Sequence, residues 1–185
     1  MMDYTVRDLM VPLSEYATVP MGSTLYEAVL ALEKAQEEFD HTKYRHRGVL
    51  IMDPEGRVIG KLSHMDALRA LEPKADAANG IKELIQFGYS HKFVAALRKQ
   101  ERLKAAPLSD LCQKTLELKV EDFMRATAED ELIDIEASMD IAIHQLVLGN
   151  HLSLLVTEND KVVGILRVAD VFAAVFHTMK TCETT

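Results

Sequence analysis

The chain has 185 residues, 48% of them apolar, with 21 Lys and Arg against 29 Asp and Glu for a formal charge of −8. That length suits one ordinary domain, or two small halves, with a core that needs no staples. The acidic balance argues against general nucleic-acid binding. Cys112 and Cys182 lie too far apart to suggest a disulfide framework or a CxxC metal knuckle. The chain opens without a leader-like segment and holds no apolar run of ~18 residues, so it reads as soluble, reduced and cytoplasmic.

Residues 16–19 form a short β-like run that ends at Pro20. Thr24 and Glu27 fit a capping box. Leu25, Ala28, Val29, Leu32 and Ala35 follow at helical spacing. Val49 to Met52 is a buried strand, residues 53–56 a turn, 57–62 a second strand, and 64–71 a helix that stops before Pro73. Residues 73–119 are too long for a bare linker and predict helices at 80–87 and 91–104, with Ser90 as a cap for the second. On that second helix Phe93, Val94 and Leu97 oppose Lys92, Arg98, Lys99 and Arg102. A short helical piece at 110–118 follows.

From there the first order of elements returns. Leu132 to Ile135 is a strand, and Ser138 caps a helix carrying Met139, Ala142, Ile143 and Leu146. Leu152 to Thr157 and Val162 to Leu166 are strands, and 168–180 is a helix. The openings match as well, VRDLM at 6–10 and VEDFM at 120–124. Gly60 and Gly164 each precede an acidic residue six positions on, Asp66 and Asp170. The unit is thus β-α-β-β-α, used twice, and each copy has an apolar sheet face for the other to cover.

The repeated opening, the T-L-x-E-A helix start at Thr24 to Ala28, the strand-turn-strand run, and the ending G-x-x-S-x-x-D at Gly60, Ser63 and Asp66 resemble a pair of CBS domains, a Bateman module. The likeness covers most of the chain. It implies a mixed α/β (α+β) fold, with CBS domain 1 at 5–72, a helical insert at 73–118 and CBS domain 2 at 119–181. The two copies would pack about a pseudo-twofold axis with clefts between them. Such modules are regulatory, not catalytic, and often bind adenosine-containing ligands such as AMP, ADP or ATP in those clefts. Many form homodimers.

The residues fit such a ligand. A carboxylate can accept from both ribose hydroxyls, and Asp66 and Asp170 are placed for it. Ser63, one turn before Asp66, can donate to a phosphate or ribose oxygen. In the family arrangement Thr18, Val19, Gly48 and Val49 would wall the purine. Arg45, His46 and Arg47 could reach phosphates. A Ser and an Asp at a helix start also make an ordinary cap. Arg167 stands where Ser63 stands in the first copy; it could pair with phosphates, cross to Asp170, or block the cleft, so the two sites are expected to be unequal. No HxxxH, Walker, GxGxxG or GxSxG pattern is present, so neither a metal site, a catalytic cofactor nor an enzyme is expected. Val171, Phe172, Val175 and Phe176 are expected to need covering, which suggests a homodimer. A protein effector would read the ligand state. The alternative is a ligand-free interaction scaffold acting through the insert.

Overall fold

The structure, a computed structural model, describes residues 4–38, 46–71, 90, 92–93 and 111–182. The first half carries α1 (Val6–Leu9), β1 (Val11–Pro12), β2 (Thr18–Pro20), α2 (Leu25–Glu38), β3 (Gly48–Met52), β4 (Val58–Ser63) and α3 (His64–Leu71). After α4 (Leu111–Glu117) come β5 (Arg125–Ala126), β6 (Leu132–Asp134), α5 (Met139–Leu148), β7 (Ser153–Glu158), β8 (Lys161–Arg167) and α6 (Val168–Cys182). The two β-α-β-β-α units read from the sequence are both present. The predicted helix at 80–87 and most of that at 91–104 lie outside the described residues. At the start of the latter, the Phe93 amide donates to the Ser90 hydroxyl, as a cap should, and Phe93 itself is exposed.

The helix starts form as their residues dictate. The Thr24 amide donates to the Glu27 carboxylate at 2.7 Å, and the Glu27 amide returns the bond to the Thr24 hydroxyl. This reciprocal pair satisfies amides that the first helical turn leaves unbonded. In the second half the Ile141 amide donates to Ser138 in the same way.

The strands form two four-stranded sheets, ordered β2-β3-β4-β5 and β1-β8-β7-β6. Each sheet is completed by the other half's opening segment. β1 pairs antiparallel with β8, and β5 pairs with β4. Val6 accordingly lies in the second half's core and Val120 in the first half's. This exchange explains the repeated glycines. A Cβ on Gly60 would lie 2.9 Å from the Arg125 carbonyl oxygen, and one on Gly164 would lie 2.6 Å from that of Val11. The crossing strand presses on each glycine, and the methionine of each opening motif, Met124 or Met10, seats its sulfur there as well.

Strand alternation sorts the apolar run of β3 between two cores. Val49 and Ile51 face the helices of their own half, while Leu50 points between the sheets with Leu155, Val11, Tyr16 and Ile165. In β7, Leu154 and Val156 face their own helices and Leu155 the seam. Leu50 and Leu155 are at most 1% exposed, and burial of each contributes about 1.5–3 kcal/mol. Ile51 and Val156 sit opposite Gly60 and Gly164, so His46 and His151 occupy equivalent positions in the two halves.

One expectation about the surface is corrected. Val171 is buried in the second core and Val175 packs against it, because they lie on the inner side of α6. Phe172 and Phe176 remain exposed, with their rings stacked at 6.4 Å.

Candidate functional site

A cavity of about 310 Å3 opens at the seam, where β3 and β7 begin and where β4 and β8 run into α3 and α6. Much of its lining comes in equivalent pairs from the two halves: Lys61 with Ile165, Ser63 with Arg167, and Met65 with Ala169. Val49, Leu62 and Val168 add apolar wall. Four cationic side chains, Arg47, Lys61, Arg125 and Arg167, line it, and the lining includes no Asp or Glu. Three of the four are paired with carboxylates just behind the lining, Lys61 with Glu131, Arg125 with Asp66 and Arg167 with Asp170. The first turns of α3 and α6 add the positive ends of two helices.

Of the residues expected at the site, Arg47, Gly48, Val49, Ser63 and Arg167 line the cavity. Asp66 and Asp170 lie one step behind it. Ser63 donates to the Asp66 carboxylate from its hydroxyl at 2.5 Å and its amide at 3.0 Å, and the Asp66 amide donates back to the hydroxyl. The cap reading of Ser63 and Asp66 is therefore present in the fold. Arg69 at 3.0 Å and Arg125 at 3.4 Å also hold Asp66, which is 4% exposed. Burial alone would raise its pKa, but the Ser63 hydrogen bonds and the two guanidinium groups outweigh that and hold it below the ordinary carboxylate range. Thr18 and Val19 sit on β2, where Thr18 pairs with Leu50, and neither lines the cavity.

The second half departs as its sequence suggested. Arg167 crosses to Asp170, with Nε at 2.5 Å from one oxygen and a terminal nitrogen at 2.7 Å from the other. Its remaining nitrogen lies 3.3 Å from His46 Nδ1 in the first half. His46 was expected on a phosphate-reaching loop. It is instead fully buried, edge-on to Tyr16 at a 4.5 Å ring separation, because the chain turns inward there to start β3; Arg45 lies outside the described residues. Burial first, and then the Arg167 charge, lower the His46 pKa to about 4. Burial raises that of Tyr16 to about 12.

Two groups escaped the sequence reading. Arg125 reaches the first half's site because β5 crosses over, which local patterning cannot show. Lys61 forms a buried ion pair across the seam with Glu131 at 2.7 Å, beside His151. Among the described residues no cluster of His, Cys, Asp and Glu could hold a metal, and no helix is long and apolar enough to cross a membrane.

Residues 6–73 match the family model of the CBS domain. Among solved structures the chain is similar to CBSX2 in complex with AMP, at 22% identity and a TM-score of 0.59, covering 94% of this chain and 97% of that one. It is also similar to CBSX2 from Arabidopsis thaliana, at 19% identity and a TM-score of 0.59, covering 97% of this chain and 99% of that one. A CBS domain-containing protein of unknown function from Bacillus anthracis str. Ames Ancestor gives 20% identity and a TM-score of 0.59, over 95% and 94% of the two chains. No curated protein matches the sequence. At such identities the solved structures establish the fold.

Proposed function

From a chain that carries a CBS domain in residues 6–73 and folds throughout as a CBS-domain pair, we propose a regulatory module. It binds an adenosine-containing mononucleotide at the seam of the two halves and passes its state to a protein partner. The observation that carries this is the cavity: apolar walls for a base, Arg47 and Arg125 for a phosphate, and Asp66 behind Ser63 for a ribose. The AMP bound to the similar CBSX2 structure supports the same ligand class.

Each group has one role in this reading. The base lies against Val49, Leu62 and Val168. The ribose hydroxyls take lone pairs of Asp66 that Arg69 and Arg125 now occupy. Those two guanidinium groups are 66% and 53% exposed and can turn toward water at little cost. Arg47 and Arg125 then meet the phosphate. Ligand pockets run from ~300 to ~1,000 Å3, and this cavity is at the small end, which favours AMP over a dinucleotide. The ligand touches both halves, so its binding shifts their relative pose, and the partner reads that pose.

A thermal-shift panel of AMP, ADP, ATP, S-adenosylmethionine and NAD tests this. A ligand at 100 times its Kd should raise the melting temperature by ~5–10 °C for a chain of this length. Asp66→Asn should remove most of the shift while the unliganded protein stays folded. A flat response across the panel, or a full shift in Asp66→Asn, would refute the assignment.

A further inference from the structure

The two repeats hold the same carboxylate in opposite ways. Asp66 faces a hydroxyl, an amide and two exposed guanidinium groups, all of which a ligand can replace or displace. Asp170 has both oxygens taken by one guanidinium in a two-pronged pair, and Arg167 is only 6% exposed. Such pairs are the strong kind of charged hydrogen bond. The same guanidinium extends to His46 of the other half, whose ring is fixed by Tyr16. A ribose could reach Asp170 only by evicting a buried charge and leaving it unpaired.

We infer that Arg167 is a built-in occupant of the Asp170 side of the seam cavity, so that the module takes one nucleotide per chain, on the Ser63 side. Arg167 does there what a ligand does on the Ser63 side. It satisfies the carboxylate at the helix start and ties the second half to the first. This rests on the adenosine reading above. The exchange at one motif position accounts for it, because Gly164 and Asp170 keep the same spacing in the second repeat as Gly60 and Asp66 in the first, and of the three motif residues only Ser63 is replaced.

The test is calorimetric titration of the full chain with AMP. The unaltered chain should bind one AMP and Arg167→Ser two. Two AMP per unaltered chain would overturn the inference and leave the proposed function standing. One AMP in a folded Arg167→Ser would also overturn it. No binding by the unaltered chain, with one AMP taken by Arg167→Ser, would refute the Ser63 side as a site and keep Arg167 as the occupant of the Asp170 side. No binding by either would sink both readings. Should Arg167→Ser not fold, Ser63→Arg carries the test from the other side. It should lose AMP at an unchanged melting temperature, and retained binding in Ser63→Arg would overturn the inference.

Discussion

Lys61→Met alone should destabilise the protein by about 3–5 kcal/mol, and so should Glu131→Leu, whereas the two together should cost about 1 kcal/mol or less. The pair meets at 2.7 Å with side chains about a tenth exposed, so each charge has given up most of its water for the other. Removing one partner strands the other charge in a low-dielectric seam. Removing both leaves two apolar side chains of similar volume facing each other. The equivalent positions of the two repeats already hold apolar residues, Ile165 and Ala17, both buried. At about 2–4 °C per kcal/mol the single variants should melt about 6–20 °C lower. Urea unfolding of all four proteins gives the coupling energy directly. Single variants within about 1 kcal/mol of the parent, or a double variant as unstable as the sum, would refute the reasoning.

His46 should make stability depend on pH. Its folded pKa of about 4 lies below its ordinary 6.5, so the unfolded chain takes up the proton first. Stability is therefore full above pH 6.5 and falls between 6.5 and 4, by up to roughly 3 kcal/mol. Urea unfolding at pH 7, 5.5 and 4.5 should show this fall, and His46→Gln should flatten it; an unchanged slope in the variant would contradict the assignment. Asp66, held below the usual carboxylate range, loses its share only at lower pH. A second prediction concerns α6, where Phe172, Phe176 and Met179 are exposed. A second copy should cover them, giving light scattering at about twice the 20.7 kDa of one chain, and Phe172→Ser with Phe176→Ser should return it to the monomer mass. A monomer before substitution would rule this out.

The elements were legible because each is fixed by local chemistry: Thr24 with Glu27, Ser138, and the strand runs at Val49 to Met52 and Leu152 to Thr157 all behave as their spacing implies. Asp66 and Asp170 were found because they repeat. What escaped was everything that depends on one half meeting the other. Arg125 looks like a loop residue until β5 joins the first sheet. Lys61 and Glu131 look like ordinary surface charges until the seam closes over them. His46 sat between two arginines and read as part of a basic loop, yet it is buried. Val171 and Val175 read as exposed because α6 is apolar on more than one side, and only packing decides which side turns in.

The exchange of β1 and β5 also constrains how the chain can fold. β1 pairs with β8 across most of the sequence, Val11 with Ile165, so neither sheet is finished until both halves exist. Long-range pairing of this kind requires large loops to close before their contacts form, which slows folding and binds the halves into one cooperative transition. A fragment ending near residue 72 would hold β4 with its edge bare, and β1 and Val6 without the core they enter. The repeat reads as two modules along the chain, yet neither half completes its sheet alone.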